Sequence, residues 1–187
     1  MTGQHTVYSV ANASRLIGRI RSWMHPPDRI LDRYISPGDT VLDLGCGPGY
    51  FSIPMARMAG EGGTVIAADV QEGMLSILRK SAEDQGLSSR FRFHRTESGS
   101  LNLRLPPVVS FALAFYVLHE TADRRTILLD IYRIVRPGGL LLVVEPWFEV
   151  RGRVFRETIE DAERAGFVRL DSPRILLSWS ALMQKRP

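Results

Sequence analysis

Residues Val41–Phe51 read VLDLGCGPGYF. A short apolar run carrying one acid, Asp43, passes into a loop with glycines at 45, 47 and 49. Phe51–Met58 then has the character of a helix. A short apolar segment closed by glycine reads as a buried strand. Glycines in the turn that follows let backbone come close to a ligand. The helix behind them offers unpaired N–H groups and the positive end of its dipole, which suits an anionic group. Open α/β sheets bind ligands beyond the carboxyl ends of their strands. Gly45, Gly47 and Gly49 are therefore expected to line a pocket; a tight turn that holds nothing is the competing reading.

The pattern repeats on either side of this loop. Val41–Leu44, Thr64–Asp69, Phe91–His94, Val109–Val117 and Leu140–Glu145 are short, apolar and bounded by turn residues, so they read as buried strands. Between them Glu72–Gln85 places Met74, Leu75, Leu78 and Ala82 on one helical face. Asp123–Val135 does the same with Ile127, Leu128, Ile131, Ile134 and Val135. Arg136-Pro137-Gly138-Gly139 is expected to stop that helix and turn the chain. Near-continuously apolar strands alternating with helices point to a parallel sheet covered on both faces. At the C-terminus a helix over Arg156–Ala165 precedes Phe167–Leu170 and Ile175–Gln184, expected to pair as an antiparallel hairpin around Ser172-Pro173. Residues 12–35 look helical with a break at Pro26-Pro27. With no repeat or linker, one domain is expected over 1–187: a helical cap segment (1–39) and a core (40–187).

The chain has 187 residues, enough for a sizeable core, and one cysteine, Cys46, which rules out an intramolecular disulfide and permits a reducing, cytoplasmic location. The N-terminus lacks a basic start followed by an apolar segment, so no signal peptide is expected. The longest apolar stretch, Val108–Leu118, is too short to span a bilayer as a helix. Of 24 basic residues only Lys80 and Lys185 are lysines, and the net charge is +4. The arginines are scattered among 20 acids, which reads as solvated surface and disfavours a nucleic-acid partner. The oligomeric state is not legible.

Asp69 ends the second strand in TVIAADV, where an acid can accept hydrogen bonds from both hydroxyls of a ribose. Paired with the glycine loop it points to an adenosine-containing cofactor. A dinucleotide site wants G-x-G-x-x-G, and here Tyr50 stands in place of the last glycine. Asp43 would repel a pyrophosphate and attract an ammonium group. Opposite charges on one small ligand suggest an amino acid joined to a nucleoside.

These motifs, VLDLGCGPGYFSIPMA and VIAADVQEGML, resemble the first two motifs of the class I S-adenosylmethionine-dependent methyltransferases. RIVRPGGLLLVVEP is similar to that superfamily's turn and fifth strand, and EDAERAGFVRL to its last helix and sixth strand. Within the superfamily the chain looks most like the small methyltransferases of the ubiquinone/menaquinone-biosynthesis type. The resemblance implies a Rossmann-like three-layer α/β sandwich with a seven-stranded, mostly parallel sheet whose last strand is antiparallel. It implies S-adenosyl-L-methionine as cofactor and S-adenosyl-L-homocysteine as product. Asp43, Gly45 and Gly47 would surround the methionine part, with Cys46, Tyr50 and Phe115 in the same site. Asp69 would hold the ribose, and Val70 and Met74 would pack near the adenine. Glu97 stands where the family often has an aspartate beside the adenine amino group, and Ser98 would offer its backbone N–H to a ring nitrogen. Ser110 replaces an aspartate frequent in the family and is read as structural.

A methyl group on a sulfonium is electrophilic, so the protein's main task is alignment, which can contribute roughly 7–11 kcal/mol. A base is needed only where the acceptor loses a proton. Candidates after the fourth strand are Tyr116, His119 and Glu120. His119 could serve as base. Alternatively His119 and Glu120 only orient the loop, with Thr121 or Asp123 starting the next helix, and Tyr116 walls the methionine end. Glu145 with Trp147 and Phe148 could build an acceptor pocket or simply pack at an edge. The four histidines (His5, His25, His94, His119) show no metal-ligand spacing with Cys46, so no metal is expected. Cys46 reads as a packing residue. A methyltransferase acting on a small-molecule acceptor is the leading expectation. RNA or protein methylation is a second, though no asparagine-proline-proline-aromatic motif follows strand four. A noncatalytic cofactor-binding module is a third.

Overall fold

A computed structural model describes residues 24–187; residues 12–23 of the expected 12–35 helical segment lie outside the described residues. The elements in chain order are α1 (Pro27–Leu31), β1 (Thr40–Leu44), α2 (Ser52–Ala59), β2 (Thr64–Asp69), α3 (Glu72–Asp84) and β3 (Phe91–Arg95). They continue with β4 (Val109–Phe115), α4 (Arg124–Ile134), β5 (Val135–Pro146), α5 (Gly152–Ala165), β6 (Phe167–Asp171) and β7 (Ser178–Lys185). The strands form one sheet in the order β3-β2-β1-β4-β5-β7-β6. Strand β7 runs antiparallel to both neighbours, β5 and β6, while the pairings among β1 to β5 are all parallel. The expected C-terminal hairpin forms, and its second strand is the one inserted against β5.

Alternation along the buried strands supplies two cores. Val41, Val65, Phe111 and Leu113 face α2 and α3, packing with Met55, Ala56, Leu75 and Leu78. Leu42, Ile66, Ala112 and Leu141 face the other way, toward Ile127 and Leu128 of α4 and Phe155 and Ile159 of α5. Each such large apolar side chain taken fully out of water contributes about 1.5–3 kcal/mol. The order reverses between β1 and β4, so the carboxyl ends of those strands open the crevice in which this class of sheet binds ligands.

Helix α4 starts as expected at Asp123, whose carboxylate accepts from Thr126 N at 3.0 Å. Arg124, Arg125 and Arg164 converge on buried Asp161 and tie α4 to α5. Burial would raise the Asp161 pKa, but the hydrogen bonds from Arg124 and Arg125 outweigh it and hold the group below the usual carboxylate range.

Several boundaries differ from the sequence reading; β7, for one, begins at Ser178 rather than Ile175. Arg136–Gly139 does not form a separate turn: the helix stops at Ile134, and these residues begin β5, with Val135 paired to Val109 and a register shift before Phe111. Gly138, at φ +74, absorbs the irregularity, and Lys185 Nζ takes the carbonyls of Tyr132 and Val135. Strand β4 ends at Phe115 rather than Val117, because Tyr116 turns into the left-handed region at φ +58. Helix α5 begins at Gly152, a turn before Arg156. Among the described residues no helix is long and apolar enough to cross a membrane.

Candidate active site

The glycine loop is fastened to the neighbouring strand. The N–H groups of Gly45 and Cys46 both donate to Ala68 O, at 2.8 and 3.1 Å. Gly45 has φ +67, and a Cβ there would sit 2.5 Å from Val117 Cγ2, so the loop can pass the β4 turn only as glycine. Gly47, at φ +51, is different: nothing lies within 4 Å of its notional Cβ, so its bare backbone faces open space.

Asp69 closes the loop from the other side. Its Oδ2 accepts from Gly47 N at 2.9 Å and its Oδ1 from Gln71 N at 2.8 Å. Burial raises its pKa, while the backbone N–H donors of Gln71, Gly47 and Val70 pull against that. Each oxygen has lone-pair capacity left for a ligand. Asp43, 2% exposed at the end of β1, is fixed by the Ser52 hydroxyl from the first turn of α2.

The cleft so formed is lined by all the residues assigned above to the cofactor. Asp43, Gly45, Cys46, Gly47, Tyr50 and Phe115 line it, as do Asp69, Val70, Met74, Glu97 and Ser98. Tyr50 donates its hydroxyl to His25 O at 2.8 Å, and Phe115 packs 4.5 Å from the Phe51 ring. The Glu97 carboxylate accepts from Asn102 Nδ2 at 2.8 Å, and Ser98 O accepts from Ala122 N. Cys46 is buried, and that burial, followed by the charges of Asp43 and Asp69, pushes its thiol well above the ordinary range; it stays protonated and packs. Ser110 donates to Thr40 O at 3.2 Å, a strand-to-strand tie. The bare Gly47 backbone, two flanking carboxylates and the apolar surfaces of Val70, Met74 and Phe115 fit a cationic amino acid joined to a nucleoside.

The rim after β4 is built from side chains. Tyr116 lines the cleft, its hydroxyl 2.6 Å from Ser178 Oγ and 3.3 Å from His25 Nε2. His25 Nε2 in turn donates to Leu176 O at 2.8 Å, joining the segment before α1 to the β6–β7 connection. Residues Leu118–Glu120 form one 3₁₀ turn that sends His119 and Glu120 to different places. Glu120 lines the cleft, as does Thr121. His119 is not among the lining residues: its Nδ1 is hydrogen-bonded to Glu145 Oε2, and its backbone N–H donates to Glu145 Oε1 at 3.3 Å. His119 Nε2 lies 3.4 Å from Glu149 Oε2 and 3.9 Å from Glu120 Oε1.

Three carboxylates thus surround one imidazole. Burial lowers the His119 pKa, but the hydrogen bond it donates to Glu145 and the charges of Glu145, Glu120 and Glu149 outweigh it and hold the imidazole above its ordinary value. Burial raises Glu145, against its bond to His119. Glu120 is pushed up to about 7, first by burial and then by Glu149, Glu145 and Asp69, with His119 opposing.

Three expectations need correction. Gly49 does not line the cleft: at φ +98, a Cβ there would sit 2.2 Å from Leu78 Cδ1, so this glycine lets the loop pack against α3. Glu145 does not face the rim: it is 1% exposed and bonded to His119. Trp147 and Phe148 neither line the cleft nor pack at an edge; they are 52% and 64% exposed. Sequence reasoning missed Thr96 in the lining and Glu149 beside His119. Thr96 directly follows β3 and could have been found from strand order; Glu149 sits in the β5–α5 loop and carries no local signal.

Comparison with known proteins gives the family and the fold. The methyltransferase domain family matches residues 41–139, from β1 into the start of β5. A ubiquinone/menaquinone biosynthesis C-methyltransferase of Vibrio vulnificus is 32% identical over 123 residues, 64% of this chain and 46% of that protein. A demethylmenaquinone methyltransferase of Oceanobacillus iheyensis is 28% identical over 144 residues, 75% of this chain and 58% of that one. The chain spans about half the length of these relatives. A crystal structure of a SAM-dependent methyltransferase from Aquifex aeolicus superposes with a TM-score of 0.84 at 22% identity, covering 96% of this chain and all of that one, and shares the fold. The chain belongs to the methyltransferase domain family, within the class I S-adenosylmethionine-dependent methyltransferases.

Proposed function

We propose that the protein transfers a methyl group from S-adenosylmethionine to a small-molecule acceptor, and that the acceptor is a quinol. The observation that carries the cofactor half is the closure of the glycine loop onto β2, Gly47 N to Asp69 Oδ2, beside an open space where a Cβ would stand. Bound there, S-adenosylmethionine supplies an electrophilic methyl group. Asp43 and the loop backbone hold the ammonium and carboxylate ends of its methionine part. Asp69 orients the ribose, and Val70 and Met74 keep water from the adenine. The chain's contribution to rate is then chiefly alignment.

The acceptor half is supported by the names of the relatives, which refer to ubiquinone, menaquinone and demethylmenaquinone. A cytoplasmic location accords with Cys46 being the single cysteine. The test is to incubate the protein with labelled S-adenosylmethionine and demethylmenaquinol under reducing conditions. Label in the naphthoquinol ring supports the reading. Binding of S-adenosylhomocysteine with no transfer to quinols, phenols or catechols would leave a cofactor-binding module instead.

A further inference from the structure

We propose that Glu120 is the catalytic base of this cleft, that His119 is the positioning residue which holds it, and that the acceptor therefore gives up a proton. This inference rests on the methyltransferase reading above. It narrows the acceptor to an ionisable hydroxyl, or a ring carbon activated by one, and away from nucleophiles with no proton to lose, such as halides.

The geometry separates the two candidates. Glu120 lines the same cleft as Asp69 and Gly47, whereas His119 is turned toward β5. His119 Nδ1 is committed to buried Glu145, and its Nε2 stands between Glu149 and Glu120. Both ring nitrogens of His119 are thus turned to carboxylates, and neither is offered to a substrate in the cleft. When protonated, this imidazole, 3.9 Å from Glu120, favours the carboxylate form of Glu120.

The charged groups facing Glu120 are His119 on its own turn, Glu145 of β5, Glu149 of the loop after β5, and Asp69 of β2. They and its burial set Glu120 at about 7, where a general base works best near neutral pH. In the step itself the acceptor atom bonds to the methyl carbon, and the carbon–sulfur bond breaks with its electron pair left on sulfur. The acceptor's proton passes to a Glu120 oxygen. A positive charge leaves the sulfur as a negative charge leaves the carboxylate, so the cleft's net charge is unchanged.

Two readouts test this. The first needs no acceptor: carboxyl NMR of the free protein, with Glu120→Gln identifying the signal. Glu120 should titrate near 7, and His119→Gln should move the midpoint upward, because the cation that lowers it is gone. A midpoint in the usual carboxylate range, indifferent to His119→Gln, would overturn the proposal. The second is single-turnover transfer to demethylmenaquinol from pH 5.5 to 9. The wild-type rate should rise with pH through about 7 and level off. Glu120→Gln should lower the plateau by on the order of 10²–10⁴-fold and remove the limb. Glu120→Asp should restore part of the rate, and His119→Gln should shift the limb upward. A limb and rate that survive in Glu120→Gln would sink the assignment. Calorimetry with S-adenosylhomocysteine separates the two claims: if the folded wild type binds none, the cofactor reading fails. If wild type and Glu120→Gln bind alike and turn over alike, only the role of Glu120 fails.

Discussion

The two walls of the cleft are made differently. The cofactor wall is backbone: the Gly45–Gly49 loop is pinned by its own N–H groups to Ala68 and Asp69, all within one strand–loop–helix–strand run. The rim after β4 is side chain: Tyr116 and Glu120 line the cleft, His119 adjoins Glu120, and they are placed by partners in β5, the β5–α5 loop, β7 and the segment before α1. A wall of backbone fixes the position of a ligand common to a whole family. A wall of side chains can be rebuilt residue by residue to suit an acceptor. Substitutions in the first should therefore reach cofactor affinity, and those in the second should reach turnover and leave affinity alone.

The largest effect on cofactor affinity is expected at Gly45. Gly45→Ala puts a Cβ 2.5 Å from Val117 on a backbone at φ +67. A strained conformation of this kind costs about 1–3 kcal/mol before the clash is counted. Titration calorimetry should show cofactor affinity reduced by on the order of a hundredfold, with a lowered melting temperature. Affinity within tenfold of wild type would break the contrast between the walls.

Asp69→Ala comes next. It strands the N–H groups of Gly47 and Gln71 and removes the proposed ribose acceptor. A loss of about 1–3 kcal/mol in cofactor binding is expected; unchanged affinity would refute the ribose assignment.

On the rim, Glu145→Gln should leave cofactor affinity within about twofold, since Glu145 does not line the cleft, yet slow transfer by on the order of tenfold. Because Glu145 is what chiefly lifts the His119 pKa, the His119 midpoint should fall, as histidine NMR would show. A midpoint that stays put would mean the imidazole is not governed by this bond.

The smallest effect is expected for Tyr116→Phe. It deletes the hydroxyl contact to Ser178 Oγ, worth about 0.5–1.5 kcal/mol of stability by thermal unfolding. Cofactor affinity should hardly move; a large loss would place Tyr116 on the wrong wall.

The same division explains what could be read from sequence. Val41–Asp69 carries its signal in consecutive residues: apolar strand, glycine turn, helix, apolar strand, acid. So the mostly parallel sheet and the residues lining this side of the cleft were legible; the strand order, set by contacts distant in sequence, was not. Arg136–Gly139 misled because proline and two glycines spell a turn locally. Pairing of the adjoining Val135 with Val109, Lys185 on the Val135 carbonyl and Gln184 on the Gly138 carbonyl draw it into β5. His119 was named from its place after β4, but its partner Glu145 is 26 residues away and Glu149 lies in a loop. Trp147 and Phe148 looked like a pocket wall because aromatics after a strand often are, yet here they stand in solvent.

The most direct measurement is a calorimetric titration of the folded protein with S-adenosylmethionine, S-adenosylhomocysteine and NAD, in wild type, Asp69→Ala and Glu145→Gln. The account predicts binding of the first two ligands and not the third, weakened by Asp69→Ala and untouched by Glu145→Gln. NAD binding alone, or S-adenosylhomocysteine affinity that depends on Glu145 and ignores Asp69, would contradict it.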